Sequence, residues 1–296
     1  MIYIVFVQKN KKFYIYFKVY NNMNFNQICK AIKEVKIQGA ENVAKAAIKA
    51  YYLKPTKESI KKLISLRPTE PCLRNSLKFV QLDKNNISRA LLHFEESDYL
   101  ISEYASKLIE NNNIVYTHCH SSTVNKVFKR AKDKGKRFLV RNTETRPLFQ
   151  GRITSQELAK LKIPNSHFVD SAMRLALKKS DLMFLGADAI TSEGKVINKI
   201  GSELACETAK KYEIPVYVCT NSWKFDPKTI FGFPEIIEKR PKNEVWNNPP
   251  KGVNIINPAF EKIDPDLITA IISELGVLSP ANFVDSVKKT YPWMII

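Results

Sequence analysis

The stretch "NNNIVYTHCHSSTVNKVFKR", Asn111 to Arg130, passes from an asparagine break into a β-branched apolar run. It then crosses small hydroxyl residues and enters a basic amphipathic run. That succession predicts strand, loop and helix. Downstream the same unit recurs. The strand candidates "IVYTHC", "RFLVRNTE", "SHFVD", "LMFLGAD" and "VYVCTN" alternate with the helical runs "STVNKVFKRAKDKG", "TSQELAKLKI", "SAMRLALKKS" and "NKIGSELACETAKKY". Continuous apolar strands separated by helices of this length predict βαβ units and a parallel sheet covered on both faces. The tail from Trp223 is rich in prolines, and a last helix is expected near "DPDLITAIISELG", closing over the sheet.

Upstream the period is helical. Phe25, Ile28, Ile32 and Val35 recur at three and four, "AENVAKAAIKAYYL" repeats the pattern with alanines, and Thr56 is placed to cap "KESIKKLISL". The fold class is therefore α/β, with a helical domain over residues 23–110 and a parallel-sheet domain over 111–296. Residues 1–22 differ from both. Their aromatic alternation reads as an edge hairpin or as an extension ahead of a true start at Met23. The second reading is preferred, because the pattern offers the extension no packing partner.

In a parallel open sheet, ligands bind outside the carboxyl ends of the strands. Those ends carry His118, Cys119 and His120, then Glu144, Thr145 and Arg146, then Asp170, Asp188 and Asn221. Three readings of "THCHSS" stand side by side. His118 and His120, two apart, could share a face and chelate a metal, although no second cluster with ligand spacing supports this. Cys119 could be a reactive thiol, because a helix start just after it would lower its pKa and seat a phosphate. Or it could be an inert cysteine at a strand end. Ser121, Ser122 and Thr123 supply donors and let an anion approach. Asp188, after an apolar run and beside Gly186, is suited either to proton transfer or to capping a turn.

Asn198 and Lys199 are read at another helix start, where the lysine is either a phosphate partner or solvated. Arg146 is held at the rim by Pro147, and Arg67 precedes Pro68 in the same way. Gly39 and Ala40, between Gln38 and Glu41, open a helix and form a second candidate anion seat. Two seats suit a ligand with two phosphates.

The composition narrows the classes. A 44% hydrophobic fraction supports a real core, and no apolar run approaches the ~20 residues a bilayer span needs. Five scattered cysteines without a CxxC pair fit a reducing cytoplasm. A net charge of +18 fits nucleic acid or phosphorylated metabolites, or else solvated lysines spread over helix faces. No RNP, zinc-finger or basic-region signature is present, so no nucleic acid and no membrane partner is expected.

"THCHSS", "TETRPLFQG", "GADAITSEGKVINKIG", "NSWKFDP" and "NPAFEKIDPDLITAIISELG" together resemble one family. It unites the translation initiation factor 2B alpha, beta and delta subunits, the methylthioribose-1-phosphate isomerases and the archaeal ribose-1,5-bisphosphate isomerases. The resemblance covers the chain from Met23 onward and implies a helical domain followed by a Rossmann-like domain. "THCHSS" and "TETRP" are similar to the ribose-1,5-bisphosphate branch, whereas the methylthioribose branch usually has asparagine and then glycine after the cysteine. Non-catalytic subunits typically lack the cysteine. The resemblance implies Cys119 as proton acceptor and Asp188 as proton donor. It places the sugar phosphate on Gly39, Ala40, Arg67, Ser121 and its neighbours, Asn198, Lys199, and Lys224 of "WKFDP". Gln38 stands where members often have arginine, and "SST" also occurs among factor-like members. No metal or other cofactor is implied. A homo-hexamer, AMP as activator and a nucleotide-salvage role feeding a RuBisCO are implied. The rival readings are a factor 2B-like regulatory protein that binds a phosphorylated metabolite, and a methylthioribose-1-phosphate isomerase.

Overall fold

The computed structural model describes residues 22–83, 85–234 and 237–295; the hairpin reading of residues 1–22 falls outside them, save Asn22. Two compact units divide the chain, one ending at Glu95 and the other beginning at Glu96.

The first unit holds α1 (Phe25–Lys33), α2 (Ala40–Leu53), α3 (Lys57–Leu66), α4 (Pro71–Leu82) and the start of α5 (Asn86–Lys107). Its helices begin where the residues say they should. Asn24 Oδ1 accepts from the Gln27 N–H at 3.0 Å, and Gln27 Oε1 accepts from the Asn24 N–H at 2.8 Å, a reciprocal cap. Thr56 Oγ1 caps α3 by accepting from the Ser59 N–H at 3.1 Å. Ala44, Ala46, Ala47 and Ala50 are fully buried on α2, which lets α1 and α4 pack closely against it.

The second unit is built on a sheet of β1 (Ile114–Thr117), β2 (Leu139–Thr143), β3 (Asn165–Phe168), β4 (Leu182–Leu185), β7 (Val216–Cys219), β9 (Ala270–Ser273) and β10 (Gly276–Leu278). Its order is β10-β9-β7-β4-β1-β2-β3. All neighbours are parallel except β10, which runs back along β9. The crossovers include α6 (Ser122–Asp133), α7 (Gln150–Lys160), α8 (Met173–Leu177) and α9 (Ser202–Lys211). Every residue of β4 is buried, as a central strand covered on both faces requires. On one face Val115, Phe184 and Ile272 pack with Val127 and Phe128 of α6 and with Ile101 and Ala105 of α5. A second sheet, antiparallel, has the order β5-β6-β8, from β5 (Ala189–Ile190), β6 (Val196–Lys199) and β8 (Phe260–Ile263).

Two expectations are corrected here. "DPDLITAIISELG" is not a helix; it is a short turn followed by β9 and the start of β10. Its apolar core "ITAIIS" is a buried strand, which periodicity over so short a run cannot separate from a helix. The last helix is α10 (Pro280–Thr290), capped by Ser279. The tail therefore extends the sheet edge rather than only covering it. Asn198 and Lys199 do not open a helix. They end β6, and Gly201 in a left-handed conformation turns the chain into α9.

Candidate active site

The six parallel strands run 3-2-1-4-7-9, so the connection after β3 crosses back over β1 to reach β4. This reversal is the topological switch point, where the crevice of a doubly wound sheet opens. Cys119 follows β1, and Asp188 follows β4, on either side of it. The expected pair thus falls on the one pair of adjacent strands whose connections diverge.

Cys119 has φ +66, a left-handed value that a cysteine adopts only when its surroundings hold it. They do. The Thr145 hydroxyl oxygen accepts the Cys119 N–H at 3.1 Å, and the Thr154 hydroxyl donates to the Cys119 carbonyl at 2.8 Å. Thr145, itself at φ +59, is fixed in turn by Asp170. The Asp170 carboxylate accepts the N–H groups of Thr145 and Arg146 at 2.8 and 2.7 Å.

The thiol is not activated as expected from its place before a helix. Burial pushes its pKa up to about 11, opposed by the Lys199 charge and the His120 N–H, while Asp188 and Asp170 push it further up. Desolvation outweighs the donors.

Ser121 caps α6, its Oγ accepting from the Val124 N–H at 3.3 Å. Ser122 is exposed and Thr123 buried. Gly186 is required for this packing, because a Cβ there would lie 2.8 Å from Ser121 Oγ. Asp188 is half-buried, and its N–H donates to the Ile197 carbonyl at 2.8 Å, which joins the end of β4 to β6. Asn198 is buried and donates to Ser202 Oγ at 2.9 Å. The Lys199 ammonium lies 4.5 Å from the centre of the Phe260 ring. Lys224 is buried and donates to the Ala187 carbonyl at 2.6 Å, one residue from Asp188.

Arg146 is exposed at the rim; its guanidinium sits 5.0 Å from the Phe149 ring and donates to the Val245 carbonyl at 3.1 Å. His118 and His120 do not form a chelate. The strand alternation ends at Thr117 and Cys119 is left-handed, so the imidazoles take separate partners: His118 binds Thr143 and Ile200, and His120 binds Glu157 at 3.2 Å. No group of three or more metal-ligating side chains occurs among the described residues.

The other predicted residues belong to the first unit. Gly39, φ +85, is the N-cap of α2; Gln38 is exposed, and Ala40 and Glu41 are buried in the first turn. Glu41 pairs with Lys45 and lies beside His93, whose pKa burial lowers to about 3. Arg67 ends α3 and pairs with Glu70 at 2.8 Å.

Sequence reasoning missed Glu274 on the same rim, after β9. Its carboxylate accepts from Ser222 and from the Tyr291 hydroxyl, and burial raises its pKa. Reading "ITAIIS" as a strand would have placed it there. The threonines that hold Cys119 carry no such signal, since Thr154 is one hydroxyl among many on a helix.

An α/β chain with a helical N-terminal unit and a cysteine–aspartate pair across the switch point is thus defined. Residues 28–280 match the Initiation factor 2 subunit family, and the chain belongs to that family. It is 34% identical to a ribose 1,5-bisphosphate isomerase of Pyrococcus furiosus, over 90% of this chain and 94% of that one. It is 30% identical to a methylthioribose-1-phosphate isomerase of Thermosipho africanus, over 90% and 79%. Among solved structures, the translation initiation factor eIF-2B of Pyrococcus horikoshii matches with a TM-score of 0.77 at 25% identity, over 88% of this chain and 98% of that one.

Proposed function

We propose that this protein isomerises ribose 1,5-bisphosphate to ribulose 1,5-bisphosphate, with Cys119 as base and Asp188 as acid. The observation that carries the reading is the placement of these two groups across the switch point, beside Ser121, Lys199 and Lys224. Relatives named as ribose 1,5-bisphosphate isomerases, at up to 34% identity, support the choice of substrate.

The chemistry needs one proton on the pair. With the thiol's pKa near 11, only about one thiol in a thousand ionises alone at pH 8. The reaction runs from the state in which the pair's one proton sits on the Asp188 carboxyl and Cys119 is a thiolate, a state that Lys199 beside the thiol favours. The acid protonates the ring oxygen as the furanose opens. The thiolate takes the C2 proton and leaves an enol phosphate. Return of that proton to C1, and passage of the C2 hydroxyl proton back to Asp188, gives the ketone and restores both groups. The buried setting of Cys119 keeps water from the enol phosphate, which would otherwise be open to elimination. The α6 N-terminus with Ser121, together with Lys199 and Lys224, is the seat for one phosphate.

Incubation of the purified protein with ribose 1,5-bisphosphate, with and without AMP, tests this. Ribulose 1,5-bisphosphate is expected; its absence under both conditions overturns the reading. Methylthioribose 1-phosphate in a parallel reaction should turn over far more slowly, and the reverse preference would make the chain an isomerase of the second kind. AMP activation, a place in nucleotide salvage and a homo-hexamer belong to the same proposal. Nucleotide titration and light scattering test the first and last.

A further inference from the structure

His118 has no part in the chemistry above, yet it is among the most tightly held side chains of the rim. It is 2% exposed and engaged at both ring nitrogens: Nε2 lies 2.9 Å from the Ile200 carbonyl oxygen and Nδ1 lies 3.1 Å from Thr143 Oγ1. A carbonyl only accepts, so Nε2 carries the proton and donates. Burial holds the imidazole pKa below its ordinary value, so the ring is neutral and Nδ1 accepts from the Thr143 hydroxyl. The Tyr116 hydroxyl then donates to Thr143 Oγ1 at 3.3 Å. One tautomer satisfies the whole chain of bonds. The steric fit is equally demanding. Gly201 has φ +96, and a Cβ there would lie 2.9 Å from both Cε1 and Nε2 of His118. Only glycine brings this backbone to the ring.

The segment that His118 grips carries Lys199, the residue before Ile200. Cys119, the residue after His118, is faced by Lys199 from β6, by Asp188 beyond β4 and by Asp170 beyond β3. Of these only Lys199 favours the thiolate, working against burial. His118 itself is faced by Asp170 and Lys199. The Phe260 ring steadies the lysine from β8, but nothing in that contact sets its height against β1. The bond from His118 to the Ile200 carbonyl ties this segment to the end of β1.

We propose that His118 is a positioning residue which, through the Ile200 carbonyl, holds Lys199 against Cys119 and so sets how readily the thiolate forms. Its catalytic meaning rests on the isomerase reading, but its physical content does not.

The test is the rate of alkylation of Cys119 by iodoacetamide between pH 7 and 10, read by peptide mass spectrometry on the full chain. Lys199→Met and His118→Ala are each expected to slow alkylation roughly tenfold at fixed pH, the loss of one nearby positive charge. The double variant should be no slower than either single. His118→Gln, whose amide keeps a donor toward Ile200, should recover most of the rate. A His118→Ala rate equal to wild type overturns the proposal. So does a double variant whose loss is the product of the two singles, because the residues then act independently. So does His118→Gln that recovers nothing. If His118→Ala does not fold, Gly201→Ala drives a methyl against the imidazole and replaces it, with the same slowing expected and an unchanged rate contradicting it. No sugar phosphate enters this assay, so failure of the isomerase reading shows only in turnover and failure of the inference only in alkylation.

Discussion

Asp188 opposes ionisation of Cys119, the residue with which it is proposed to share one reaction. Burial raises the thiol's pKa most and the aspartate raises it further, so removal of the aspartate has two effects of opposite sign. Asp188→Asn should speed alkylation of Cys119 at neutral pH while reducing turnover by ~10²-fold or more, since a general acid contributes about that much. Equal losses in both assays would contradict the pairing. The pH dependences should separate in the same way. Alkylation follows free thiolate and should rise about tenfold per pH unit toward 11, the value to which burial pushes the thiol. Turnover uses a state in which the pair keeps its proton, so kcat/KM should stay nearly level between pH 7 and 9. A turnover profile that rises in parallel with alkylation would mean that the cysteine ionises alone. The places of Cys119 and Asp188 at the ends of two strands were legible in the sequence. The state of the thiol was not, because burial is a property of the packed sheet and outweighs the helix start that the sequence displays.

At the level of elements, the β1–α6 turn is where sequence and structure agree best. "IVYT" is a strand, Ser121 caps a helix, and the residues between them form the rim. Ser121→Ala should cost ~1 kcal/mol of stability in denaturant titration, the usual value of an N-cap, and raise the KM for the bisphosphate. Gly186→Ala forces a methyl to within 2.8 Å of Ser121 Oγ, so it should impair the same site from the facing strand. A full-activity Gly186→Ala protein would show that Ser121 does not need its present position. Legibility failed at β9 and at β6, for one reason. Both are four-residue strands next to polar residues, and neither period has room to declare itself in so short a run. Lys199 is therefore expected at a helix start, as a phosphate partner or a solvated lysine. As the end of a strand joined to β8, it also faces Cys119 and lies against the Phe260 ring.

Over the whole molecule, the second unit owes its rigidity to a core in which Phe128 and Phe184 are fully buried and meet edge to face at 6.2 Å. Phe184→Ala should cost about 3–5 kcal/mol, measured by chemical denaturation, with the rim disordered along with the core. The charge of +18 acts at longer range. A bisphosphate approaching so basic a protein is steered, so kcat/KM should fall as ionic strength rises, and insensitivity to salt would place the positive charge away from the approach. Composition showed that charge but not where it matters, because lysines are spread along the entire chain. The central claim, that Cys119 and Asp188 carry an isomerisation at the switch point, is tested most directly by running the reaction in deuterium oxide under single-turnover conditions. The wild type should form ribulose 1,5-bisphosphate whose C1 carries the hydrogen taken from C2, with little deuterium entering, and Cys119→Ser should form none. Product from Cys119→Ser at the wild-type rate, or no product from the wild type, would contradict it.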